Sequence, residues 1–245
     1  MSITSYPQNL SNNYFFNIGL GDIPGTSQVH KFGAVPAMSQ NQSGTIWDVD
    51  DTNYPWSAFS SGASTVTVDR ADAGDADKDV YIQGLDASYN IVDDTVTLTN
   101  ATGNTSTQSF LRVFRAYITG SSSTNVGDVD IKVGSTVVAR INEDKGQTLM
   151  AVYTVPAGYT GYLMQGIATC QDGADATGDM FVRYFGSDAF RVGHSFEFSG
   201  DGGPYHYKFT VPISIPEKSD IDIRATVRSN NARLTAAFDL ILVEN

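Results

Sequence analysis

The sequence predicts an all-β protein whose antiparallel strands fold on themselves as a sandwich behind an extended N-terminal arm. Strand-length stretches with two-residue alternation recur through the second half, separated by turn-forming residues at the spacing of a sandwich. No segment carries a sustained helical period with caps at its ends. The composition points the same way. With 23 glycines and only 17% charged residues, it suits short strands joined by turns better than helices, which favour Ala, Leu, Glu and Lys.

Taken in order, residues 1–46 hold two formal charges, Asp22 and Lys31, among many aromatic and aliphatic groups, and Pro7, Pro24 and Pro36 interrupt any period. A disordered tail is charged and poor in aromatics. Residues 1–60 are therefore expected to lie as an extended arm on an apolar surface, either of their own domain or of a neighbouring subunit. The expected contacts are Tyr14, Phe15, Phe16, Val29, Phe32 and Val35, joined by the cluster Trp47, Tyr54, Trp56 and Phe59. The strands of the core are expected to begin after residue 46, in a body over 61–245 that is either one piece or divided near 146.

Eleven of the 27 acids fall between Asp48 and Asp94, against Arg70 and Lys78. Within this acidic region 64–69 reads as a strand, and 80–85 with 91–98 reads as a hairpin about the turn-forming stretch 86–90. Further strands are predicted at 110–118, 128–133, 148–155, 162–170, 180–185, 190–198 and 205–211, with Pro156-Ala157-Gly158 as a tight turn. The clearest is 220–228: Ile221, Ile223, Ala225 and Val227 face inward, and Asp222, Arg224, Thr226 and Arg228 face outward. The last, 234–243, is apolar on nearly both faces and reads as central.

The formal net charge of −12 argues against nucleic acid, which is bound by clustered Lys and Arg, and against an anionic membrane surface. No window has the apolar length of a membrane span, and no secretory signal is visible at the start. The single cysteine, Cys170, excludes an intramolecular disulfide and reads as a buried small side chain. No nucleophile elbow, P-loop, dinucleotide fingerprint, zincin motif or paired Cys-x-x-Cys occurs. His30, His194 and His206 have no ligand at metal spacing. Two carboxylates on facing strands could serve a glycosidase, a possibility spacing does not test.

Asp75, Asp77 and Asp79 mimic the first ligands of a calcium loop, but Val80 stands where a Gly is needed and Asp86 replaces the closing Glu. The expectation is a solvated acidic loop without metal. Trp47 and Trp56 could stack a sugar, although aromatics beside prolines more often anchor a loop or an interface. No catalytic residue, cofactor or metal is expected, and the protein is expected to act by presenting surfaces.

Three segments carry a resemblance: Val29-His30-Lys31-Phe32-Gly33-x-x-Pro36 with the following Trp47; residues 149–163 around Pro156-Ala157-Gly158; and the run from Val211-Pro212 through Ile215-Pro216-Glu217-Lys218 and Ile223-Arg224-Ala225 to 237–243. Together they resemble a family of virion structural proteins of tailed bacteriophages. The resemblance spans most of the chain, in strand-and-turn patterns without chemical signatures. It implies a capsid decoration (cement) protein with jelly-roll-like sandwich domains, often trimeric. The implied partners are the major capsid protein and further copies of the chain, and the implied place is the capsid surface after assembly in the host cytoplasm. The alternatives are a tail-fibre, head-fibre or baseplate protein binding host glycans, and a carbohydrate-active hydrolase on a similar scaffold.

Overall fold

The computed structural model describes residues 14–120, 124–171 and 173–245. Strands make up 55% of it and helices 6%, and the paired strands run antiparallel. A short helix, α1 (Tyr14–Gly19), leads into β1 (Thr26–Met38) and β2 (Ser43–Thr45). After a 3-10 turn at Trp56–Phe59 come β3 (Thr67–Arg70), β4 (Asp79–Leu85), β5 (Ile91–Thr97), β6 (Asn104–Thr105), β7 (Arg112–Thr119), β8 (Val129–Val133) and β9 (Thr136–Ile141). The remainder is β10 (Val152–Thr154), β11 (Tyr159–Cys170), β12 (Asp175–Arg183), β13 (Arg191–Ser199), β14 (Tyr205–Ile215), β15 (Asp220–Val227) and β16 (Ala232–Glu244).

These strands build two sandwiches. In the terminal one, a sheet ordered β1-β16-β11-β14 packs on a sheet ordered β10-β15-β12-β13, with β2 added to β15. In the middle one, β6-β3-β8-β9 packs on β5-β4-β7. The chain enters the middle sandwich between Thr45 and Thr67 and returns to the terminal one between Ile141 and Val152. Each sandwich has its own apolar core. Leu163, Met180, Ile221, Leu234, Phe238 and Leu240 lie in the terminal core, and Val68, Ile82, Phe110, Val129, Ile131 and Ile141 in the middle one.

The predicted hairpin forms as β4 and β5, paired from Asp79↔Thr97 to Leu85↔Ile91. Its turn is held by Asp86, whose carboxylate accepts the amide N–H groups of Ser88 and Asn90. β16 lies between β1 and β11, the central position its two apolar faces imply.

The N-terminal region is extended, but as part of a sheet. β1 pairs with β16 from Thr26↔Val243 to Val35↔Leu234, and Val35, Met38 and Ile46 are fully buried in the terminal core. Core strands thus begin well before residue 46. The alternation that marks a strand is missing because Gly33, Ala34 and Val35 are consecutive and all buried. At Gly33 a Cβ would stand 2.1 Å from the Ile46 carbonyl oxygen, so only glycine lets the two backbones approach there.

Candidate interaction surface

The cluster expected to meet partners lies mostly inside the molecule. Trp47, Tyr54, Trp56 and Phe59 pack into the middle core. Tyr54 meets both tryptophans edge to face, with centroids 5.3 and 4.7 Å away, and its hydroxyl donates to the Val113 carbonyl at 3.1 Å. With Val35 they are sequestered, so they offer neither a contact patch nor a sugar platform. Prolines and aromatics mark them as anchors in sequence, and what they anchor is the joint between the two sandwiches.

That joint has a polar centre that pattern reading missed. Asp220 accepts from Arg112 Nε at 2.9 Å, Arg183 Nε at 2.9 Å and Thr154 Oγ1 at 2.6 Å. Asp222 accepts from Thr45 Oγ1 at 2.8 Å, Trp56 Nε1 at 2.9 Å and Arg224 Nε at 2.9 Å. The Arg112 guanidinium lies 5.5–5.9 Å from the rings of Trp56, Phe59 and Tyr89. Asp222 does face away from its own core, yet it is fully buried, because its outward side is covered by the middle sandwich. Alternation identifies the face of a strand but not a second layer laid over it.

The acidic loop is corrected in the same way. Asp75 is buried and accepts the amides of Val126 at 2.8 Å and Gly127 at 2.9 Å, with Lys78 Nζ at 3.0 Å. Burial pushes its carboxyl up, but the two amides and Lys78 outweigh it and hold the group below the usual aspartate value. The positions mimicking calcium ligands therefore include a carboxylate already satisfied by protein. Among the described residues no group of three or more His, Cys, Asp or Glu could hold a metal, and no helix is long and apolar enough to cross a membrane.

The remaining predicted contacts divide. Val29 and Phe32 are partly buried in β1. Tyr14, Phe15 and Phe16 on α1 are exposed by 53%, 58% and 44%, and Leu20 after the helix by 42%. Phe15 and Ile18 form one wall of a groove of about 550 Å³ on the outer face of the terminal sandwich. Its other wall is β14, with Phe209 and Pro212, and its floor includes Met164, Leu240 and Ile241.

β14 borders β11 on one side only. An edge strand invites pairing with another chain unless it is blunted. Here Leu163 pairs with Ile213 and Gln165 with Lys208, so residues 209–212 bulge out against a single residue of β11. Lys208 and Pro212 discourage strand addition further. The bulge instead thrusts Val211 into solvent, 80% exposed. On β13, His194 donates to or accepts from the Tyr205 hydroxyl at 2.6 Å, stacks on Phe196 and meets Tyr207 tilted and Phe209 edge-on. Helix α1, the groove and the β14 bulge thus make one uneven face, in which exposed aromatic and aliphatic groups alternate with Gln28, Gln165, Lys208 and Asp239.

No protein-family model matches the sequence, and no curated protein matches it. Among solved structures, the chain is similar to infectious bursal disease virus, Gt strain, at 12% identity over 94% of this chain and 78% of that one, with a TM-score of 0.26. It is also similar to the VP2 subviral particle of that virus, at 7% identity over 91% and 72%, with a TM-score of 0.23. TM-scores this low reflect shared strands without a shared arrangement, so they assign this chain neither a fold family nor a role.

Proposed function

We propose that this chain is a virion structural protein: a capsid decoration protein of a tailed bacteriophage that binds the outside of the shell, bridges capsid subunits and catalyses nothing. The observation that carries this reading is the cluster of exposed apolar groups on α1 (Tyr14, Phe15, Phe16) and at the β14 bulge (Val211). Contiguous exposed apolar surface marks an interaction site, and the three segments resembling phage virion proteins supply the context. Further copies of the chain cover this face in a homo-oligomer, taken as a trimer, and symmetry multiplies the individually weak contacts with the shell into avidity.

Two measurements test the proposal. Image reconstruction of undecorated shells mixed with the purified protein is expected to show density across the whole icosahedral surface. Density confined to the tail would favour a fibre or baseplate protein. Light scattering is expected to give an oligomer that Phe15→Asp and Val211→Asp each break into folded monomers. A wild-type monomer would remove the role assigned to the face.

A further inference from the structure

Where β1 of the terminal sandwich meets β4 and β7 of the middle one, a cleft of about 400 Å³ opens. Its basic wall residues are His30, Lys31 and Arg115, and among the described residues no Asp or Glu lines it. In a chain with 27 acids and 15 Lys and Arg, a cleft walled by Lys31 and Arg115 with no carboxylate among its described lining residues runs against the composition; the third basic residue, His30, is already engaged by Asp239.

Lys31 is the unusual member. It is only 8% exposed. Its Nζ donates to the Phe114 carbonyl, and among the described residues no carboxylate lies within ion-pair distance of it. Buried charges are ordinarily paired, because desolvation disfavours the charged form. Burial, then the neighbouring Arg115 guanidinium, pull the Lys31 ammonium down to about 7. Asp48 opposes them, but burial has pushed its own carboxyl up to about 7. On the neighbouring strand Asp239 is engaged with His30 Nδ1 at 2.5 Å and with the Gln165 amide. Arg115 reaches Gln147 Oε1 at 3.5 Å and lies 4.9 Å from the Tyr117 ring centroid. Thr148 Oγ1 accepts the Ala116 amide, leaving its own proton to donate.

We propose that this cleft binds an oxyanion, a carboxylate or phosphate group, between the Lys31 ammonium and the Arg115 guanidinium. The guanidinium offers a planar fork and the ammonium a point charge, complementary ways of holding such a group. Phe32, Phe114 and Tyr153 on the wall lower the local dielectric and strengthen the attraction. The anion supplies the counter-charge the protein omits and offsets the repulsion between Lys31 and Arg115. Binding therefore raises the affinity of Lys31 for its proton. Above neutral pH the complex takes up a proton, and its affinity falls roughly tenfold per pH unit once free Lys31 is neutral. This site does not depend on the virion reading.

Calorimetric titration of the full chain with acetate and with sulfate, in buffers of different ionisation heat, tests it. Saturable binding is expected, with proton uptake above neutral pH. Lys31→Met and Arg115→Gln should each weaken it at least tenfold, and Lys31→Met should abolish the uptake. Lys132→Gln, on the middle sandwich and paired with Asp69, should change nothing. Preference for acetate would assign a carboxylate, preference for sulfate a phosphate group, and equal binding the oxyanion in general. No saturation by either anion, or binding that both cleft variants leave intact, would overturn the site. Arg115 is on the surface, so its variant keeps the test valid if Lys31→Met fails to fold.

Discussion

Asp222 holds three donors from three parts of the chain: Thr45 in β2, Trp56 in the 3-10 turn between β2 and β3, and Arg224 on its own strand. Removing one member of a buried charged group strands the others without a partner, which costs about 3–5 kcal/mol. Asp222→Ala is expected to lose that much stability in urea titration, whereas Thr226→Ala on the same face should stay within about 0.5 kcal/mol. Asp48 makes a second prediction at this scale. Its Oδ2 accepts the Leu149 amide at 3.1 Å, while Oδ1 is buried without a partner among the described residues. Its folded pKa of about 7 stands above the unfolded 3.8. The native state thus binds more protons than the unfolded one between those values, and stability falls as pH rises from about 4 to about 7. Lys31 has the opposite displacement, from 10.5 down to about 7, so it adds stability as pH rises through that interval. Asp48→Asn should remove the acid-side slope. Relative to that variant, wild type should lose on the order of 2–4 kcal/mol from about pH 4 to about pH 7, read from urea midpoints.

Among the elements, legibility followed solvent. Strands with one more solvated face, such as β4 and β8, announce themselves by alternation, and β15 alternates in residue type although both its faces are covered. β16 announces itself by being apolar on both sides. β1 does neither, since residues 33–35 are covered on both faces and its first half carries polar side chains outward. β9 was missed although a signal was present. Val133-Gly134-Ser135-Thr136 joins two apolar runs, and Gly134 takes the positive φ of 59° that such a two-residue hairpin turn requires. Of the predicted contacts, the α1 aromatics are on the surface. The tryptophan cluster is not, because sequence shows an aromatic's appetite for burial without saying which surface satisfies it. Deleting 14–46 is therefore expected to unfold the terminal sandwich by stripping β16 of its neighbour. A truncated protein with native near-ultraviolet circular dichroism would show that β1 is dispensable.

For the whole molecule, the two cores are distinct but the joint between them is not soft. Arg112 of β7 and Trp56, from the segment between β2 and β3, reach across it to the buried carboxylates Asp220 and Asp222, and Lys31 ties β1 to β7 through the Phe114 carbonyl. A wet, loosely packed joint would let each sandwich melt alone. This one couples them, and calorimetry is expected to show a single transition with equal calorimetric and van't Hoff enthalpies. Two resolved transitions would mean that the joint contributes little. The net charge of −12 surrounds this rigid body with a field that repels further copies except where apolar contact overcomes it.

The pairing of β1 with β16 also sets a timetable for biosynthesis. His30 and its partner Asp239 are 209 positions apart, and a ribosome adding about 5–20 residues per second needs roughly 10–40 s to span that interval. The middle sandwich is encoded in between, so its strands emerge together and can collapse while β1 still waits for a neighbour. Throughout that delay a 13-residue strand is displayed to the crowded interior of the cell. The charged and proline residues within it, Lys31 and Pro36, act in that period as gatekeepers against aggregation, one of them at the position that later carries the buried ammonium.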